Sequence, residues 1–187
     1  MNKEEKNKYI HLICHSYMGV MWTHKAQEKQ ADIYSKTKKA INVIKIASSS
    51  LTAAGLLSIV FASDELWLKL FAAILSFVTL SLEAISKAFD YDSLILTHKS
   101  TASLLLELRD KYQILIFQAK CEDADLQKID SEFQKLERKK HEIYKTAPRT
   151  TDAAIRKAGI AINVNRDNNY TLSEINESLP DCLKLEE

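Results

Sequence analysis

Three groups of side chains in this sequence have the types and spacing to do chemistry. In the run HLICH, His11, Cys14 and His15 fall three and four residues apart, on one face of a helix, and two imidazoles with a thiolate could coordinate a soft metal. The run lacks the first cysteine of a haem-attachment CxxCH motif, and residues of this kind on an amphipathic helix usually serve packing and surface, so no metal is expected. In NVNRDNNYTLSE, oxygen donors at Asn163, Asn165 and Asp167 precede a glutamate, Glu174, in the twelfth place, as in a calcium loop. The first position is Asn instead of Asp and the sixth is Asn168 instead of Gly, which leaves too little charge and a costlier turn. A polar loop leading into a capped helix is therefore expected. The third group is hydroxyl-rich. Ser48, Ser49, Thr52 and Ser58 lie in an apolar run, where they could line a wet path once several copies assemble, since one pair of helices cannot enclose a pore.

Catalytic constellations are missing from the pattern. Glycines stand only at 19, 55 and 159, so there is no phosphate-cradling loop of the Walker or dinucleotide type, and no GxSxG, HExxH or paired CxxC occurs. Neither an enzyme nor a cofactor is expected. Lys plus Arg number 26 against 25 Asp plus Glu, a net charge of +1, which argues against nucleic acid as the main partner. Cys14, Cys121 and Cys182 are odd in number and far apart, so they indicate no disulfide framework and suit a reducing compartment.

The elements that position these groups are helical. Three glycines and two prolines in 187 residues provide too little turn punctuation for a many-stranded fold. Tyr9, Ile10, Ile13, Tyr17, Val20 and Met21 recur at three- and four-residue steps, and a second pattern from Ala26 carries Ile33, Tyr34, Ala40, Ile41 and Ile44. That second pattern is basic, with Lys25, Lys29, Lys36, Lys38, Lys39 and Lys45 against Glu28 and Asp32.

Ile46 to Ser63 then runs about 18 residues without a charge, roughly 27 Å of helix, close to the hydrocarbon thickness of a bilayer. Leu66 to Leu82 is about as long. Its ten strongly apolar residues, at roughly −0.3 to −0.6 kcal/mol each, outweigh the single Lys69, which can also snorkel. The first segment has seven such residues and five serines, so it is marginal alone and needs the second beside it. Small side chains at Ser50, Ala54, Ser58 and Ala62 recur every four positions, and Ala72 with Ser76 makes a shorter stripe; both let helices approach closely. Lysines before the first segment, with Lys87 and Lys99 after the second, oppose an acidic turn at Ser63, Asp64 and Glu65 beside Trp67. That asymmetry places both termini on the cytoplasmic side of the membrane.

Beyond the polar connection EAISKAFDYDS, residues Leu105, Leu108, Tyr112, Leu115, Ala119, Leu126, Ile129, Phe133, Leu136 and Ile143 keep a 3,4 alternation, the seam of a coiled coil or helical hairpin. The run CEDAD, at Cys121 to Asp125, favours two antiparallel helices, with Leu105, Leu108, Tyr112, Leu115, Leu126, Ile129, Phe133 and Leu136 as an oligomerisation seam. Pro148 ends this region, a short helix around Asp152 to Ala158 stops at Gly159, and Thr171 with Glu174 forms a capping box for a last helix before Pro180. The expected fold is all-α. It comprises amphipathic cytoplasmic helices over 1–45, a transmembrane hairpin over 46–82 (about 46–63 and 66–82), a helical or coiled-coil-like cytoplasmic region over 83–147 and a helical tail over 148–187.

A hairpin with a basic entry, the stretch LTHKSTASLLLELRDKY with His98, Lys99, Leu105, Leu108 and Arg109, the ending EIYKTAP at Glu142 to Pro148 and the terminal TLSEINESLPDCL together resemble a SLATT-domain protein. These are two-transmembrane effectors found with nucleotide-signalling and other bacterial conflict systems. The resemblance implies an effector, quiet until a partner senses infection, that oligomerises and permeabilises the inner membrane. It implies a second-messenger synthase or a reverse transcriptase as the triggering partner, and no catalytic residues. Two alternatives stand beside it, a membrane-anchored helical binding module that recruits a partner without forming a pore, and a soluble helical adaptor.

Overall fold

A computed structural model describes residues 3–61, 66–167 and 170–180. Ala62, the acidic turn Ser63, Asp64 and Glu65, Asn168 and the end of the tail from residue 181 lie outside the described residues, as does the side chain of Ser58. Six helices and no strand occur among the described residues: α1 (Lys3–Phe61), α2 (Leu66–Phe89), α3 (Tyr91–Lys120), α4 (Leu126–Thr146), α5 (Asp152–Asn163) and α6 (Leu172–Ser178).

The two helical patterns expected before residue 46 are one helix, which runs on through the apolar segment. α1 has 59 residues, about 88 Å at the α-helical rise. Glu4 and Glu5 sit in its first turn, where the helix dipole favours negative charge. The expected polar connection after Leu82 is also helical, because α2 continues to Phe89. Only Asp90 interrupts the path into α3. Its φ of 36° is a left-handed conformation that Asp tolerates, and its carboxylate accepts the Ser93 backbone N–H at 3.3 Å as the α3 cap.

Cross-pairs fix the directions. Lys45 pairs with Glu83, Lys38 with Asp92, and Gln27 with His98, so the partner's number rises as the α1 number falls. α2 and α3 therefore return antiparallel along α1. The CEDAD run is the break expected of it, with Asp125 capping α4 by accepting the Gln127 and Lys128 N–H groups at 3.0 and 3.3 Å. α4 runs antiparallel to α3, with the Tyr112 hydroxyl donating to Glu137 at 2.7 Å and Lys139 to Glu107 at 3.0 Å.

The core sits between α1, α3 and α4: Ile13 and Val20 meet Leu105, Leu108, Tyr112, Leu115 and Ala119, with Ile129, Phe133, Leu136 and Ile143 opposite. The α3–α4 seam, apart from a half-buried Leu126, is thus buried inside one chain, against α1.

α5 approaches α1 through small side chains, Ala154, Ala158 and Ala161, all buried. The expected stop at Gly159 does not occur, since α5 passes through it to Asn163. A Cβ there would meet Trp22 Cη2 at 3.4 Å, so this position serves the close approach of a helix to an indole ring and not termination. In α6 the capping box forms as expected, Thr171 accepting from the Glu174 N–H at 3.3 Å while the Glu174 carboxylate accepts the Thr171 N–H at 2.7 Å.

Candidate functional site

The upper part of α1 and the whole of α2 form a paired unit with two faces. Ser48 and Ala72 are buried between the helices, and Thr52 and Ser76 are half-buried. Ser49, Thr52, Ala53, Ser76, Thr79 and Leu80 line a cleft of about 430 Å³. Ser76 and Thr79 therefore lie across the cleft from Ser49 and Thr52, and Ser49, at its open edge, is exposed, as are Ser50 and Ala54 of the four-residue stripe.

Four of the hydroxyls are already satisfied by their own helices. Ser50 donates to the Ile46 carbonyl at 2.9 Å, Thr52 to Ser48 at 2.8 Å, Thr79 to Leu75 at 2.9 Å and Ser81 to Phe77 at 2.8 Å. Such i−4 bonding suits a medium in which water cannot supply partners.

The outer faces are bare and apolar. Trp67 is 80% exposed, Phe77 71% and Leu66 71%. Within Lys69–Lys120 an 18-residue window has a mean hydropathy of 1.6, long and apolar enough to cross a membrane, yet only 6% of it is buried. A core helix of a water-soluble bundle would be covered by protein, so this bareness calls for an apolar surrounding.

Below this unit, α1 buries polar side chains. Extending the Ile13–Val20 stripe at three- and four-residue steps reaches His24, Gln27 and Ala31, all buried, and Gln30 joins them. The Pro148 carbonyl can only accept, so Gln27 Nε2 donates to it at 2.8 Å, and Gln27 Oε1 must accept from His98 Nδ1–H. Gln30 Oε1 accepts both the backbone N–H and the hydroxyl of Thr151, each at 2.8 Å. Two glutamines on one face of α1 thus pin the loop between α4 and α5, and His98 ties α3 to the same point. This seam was not among the expected site residues. Its signal is the continuation of an apolar stripe into amide and imidazole side chains without a change of period.

Burial pushes the His98 imidazole below its ordinary value. It does the same to His24, with Arg109 and Lys25 acting in the same direction against the nearby carboxylates Glu28 and Asp110. An unfolded chain takes up these protons near pH 6.5 while the folded one resists, so stability present above that pH is lost as pH falls through it. Melting of the full chain in detergent is expected to lose up to about 1.4 kcal/mol per pH unit for each histidine below pH 6.5. The His98→Gln variant should show a shallower slope; identical slopes in variant and parent would refute this.

The other candidates are dispersed. His11 and His15 are exposed and Cys14 is half-buried, and no group of three His, Cys, Asp or Glu placed to hold a metal occurs among the described residues. In the calcium-like loop, Asp167 pairs with Lys25 at 3.3 Å, and Glu174 is engaged by its own helix cap.

A family model described as SMODS and SLOG-associating 2TM effector domain family 4 matches residues 10–174, whereas no curated protein and no solved structure matches. The match spans the paired apolar helices, the polar seam and all of α3, α4 and α5, and the chain belongs to this two-transmembrane effector domain family.

Proposed function

We propose that the protein is an effector of a bacterial conflict system that crosses the inner membrane twice, at about 46–63 and 66–82, with both termini cytoplasmic. It assembles with copies of itself and permeabilises the membrane when a partner senses infection. The observation that carries this is the pair of antiparallel helices whose apolar faces stand bare, continuous through α1 with a cytoplasmic bundle that is tightly tied. The α3–α4 seam residues are consumed in the core, so contact between copies falls to the outward stripe of Ser50 and Ala54, which Ser58 and Ala62 extend in the sequence register. The inward Ser48, Thr52 and Ser76 stay in the α1–α2 contact, where Ala72 lets the helices close, and Ser49 stands at the open edge of the cleft. Membrane lipid surrounds the unit. The trigger is a defence-system sensor, a second-messenger synthase or a reverse transcriptase in the systems this family accompanies.

The self-satisfied hydroxyls favour a second reading, in which the pair is only an anchor and the bundle recruits a partner without ion flow.

Topology distinguishes two spans from other arrangements. In a variant with Cys14, Cys121 and Cys182 replaced by serine, Asp64→Cys is expected to react with a membrane-impermeant maleimide added to intact spheroplasts, while Glu122→Cys reacts only after lysis. Labelling of both positions, or of neither, in intact spheroplasts would overturn the two-span arrangement.

A further inference from the structure

The cytoplasmic bundle contains a cavity that the membrane reading does not use. Two hollows flank His24 along the α1–α3 groove. One, of about 390 Å³, is lined by residues that include Glu28, Asp32, Lys99 and Ser103. The other, of about 360 Å³, lies between α1, α3 and the end of α5, and Met18, Met21, Ile162, Lys25, Arg109 and Gln113 contribute to its wall together with His24. Volumes of this size are those of small-molecule sites.

His24 is 3% exposed, and its Nδ1 has no hydrogen-bond partner among the described residues. A buried imidazole nitrogen left bare costs stability, and such a group in a folded protein calls for an explanation. The Glu28 carboxylate lies 3.7 Å from Nε2, which favours the proton on that nitrogen and leaves Nδ1 an acceptor in want of a donor.

The charges nearby are unevenly committed. Lys25 is held by Glu28 at 2.9 Å and Asp167 at 3.3 Å. Among the described residues Arg109 pairs only with the adjacent Asp110, at 2.9 Å, and that carboxylate is 54% exposed while the Arg109 side chain is 15% exposed. An ion pair with one partner in water is weak and replaceable, and a guanidinium grips a carboxylate or phosphate through two parallel bonds.

We infer that the cavity beside His24 is a binding site for a small organic anion that carries a hydroxyl or amino donor on an apolar body. The anionic group meets Arg109, the donor meets His24 Nδ1, and the body lies against Met18, Met21 and Ile162. A lipid headgroup is not the source. His24 lies about 33 Å along α1 from Ile46, where the apolar run begins, well beyond headgroup depth. The inference concerns the bundle alone, so binding is read in detergent whether or not the protein conducts ions.

The full chain, labelled with [13C]histidine and purified in detergent, is titrated with 4-hydroxybenzoate. The His24 ring signal, assigned by its loss in His24→Asn, is expected to shift saturably. Benzoate, which lacks the donor, and 4-hydroxybenzamide, which lacks the charge, should each bind about tenfold more weakly or worse. Arg109→Gln should weaken 4-hydroxybenzoate by a similar factor, and Met18→Trp, at the rim of the cavity, should block it while the chain melts as the parent does. No saturable shift with 4-hydroxybenzoate, or equal binding by the Arg109→Gln and Met18→Trp variants, would overturn the assignment.

Discussion

Replacing Tyr112 with alanine is expected to cost about 3–5 kcal/mol, the range for emptying a buried aromatic site. The ring is fully buried and meets Phe133 edge-on at 6.3 Å between centroids, and Phe133 in turn meets Tyr9 at 5.7 Å. Its hydroxyl donates to Glu137, which also pairs with Lys140. Alanine therefore removes an aromatic cluster contact and one of the hydrogen bonds on a half-buried carboxylate together. For a chain of this length the melting temperature should fall by roughly 6–20 °C. Tyr112→Phe keeps the ring and loses only the hydrogen bond, so it should cost about 1 kcal/mol. Equal losses for the two variants in a denaturant titration would show that the hydroxyl, not the packing, holds α3 to α4.

The second large effect concerns the membrane. The first span's seven strongly apolar residues contribute about −2 to −4 kcal/mol to insertion, and one aspartate near its centre opposes this by roughly 2.5–3.5. Ala54→Asp or Ser58→Asp is therefore expected to cancel most of the insertion energy of the weaker helix and to place a charge on the stripe proposed to meet other copies. Depolarisation and growth arrest under activating conditions should be lost in both variants. Toxicity unchanged from the parent would count against a role for this span in permeabilisation.

Much of this was legible in the sequence, for reasons that differ from element to element. Scarce glycine and proline pointed to helices, and CEDAD located the α3–α4 turn because consecutive acidic and small residues interrupt an otherwise regular 3,4 stripe. Periodicity identified Leu105, Leu108, Tyr112 and Leu115 as a buried face, but it does not say what covers that face. The cover is Ile13 and Val20 of the same chain. The break at Asp90 carried no glycine or proline to announce it, since a single left-handed Asp suffices. Gly159 reads as a stop only when Trp22 is out of view, because its use is a tertiary contact 137 residues away in sequence. The polar seam of His24, Gln27, Gln30 and His98 was missed because amphipathicity counts apolar side chains, whereas these groups are buried by pairing with a loop that is distant in sequence.

α1 joins these parts mechanically. It carries the seam and the hollow beside His24 at one end and the first span at the other, with no proline to bend it.

The most direct test of the effector reading is ion flux from liposomes loaded with a potassium-sensitive dye and reconstituted with the full chain, with and without its triggering partner. Flux that appears only with the trigger, and is absent from Ala54→Asp liposomes containing the same amount of protein, is the expected result. A membrane-inserted protein that binds its partner yet leaves the liposomes sealed would contradict permeabilisation and leave the anchored binding module.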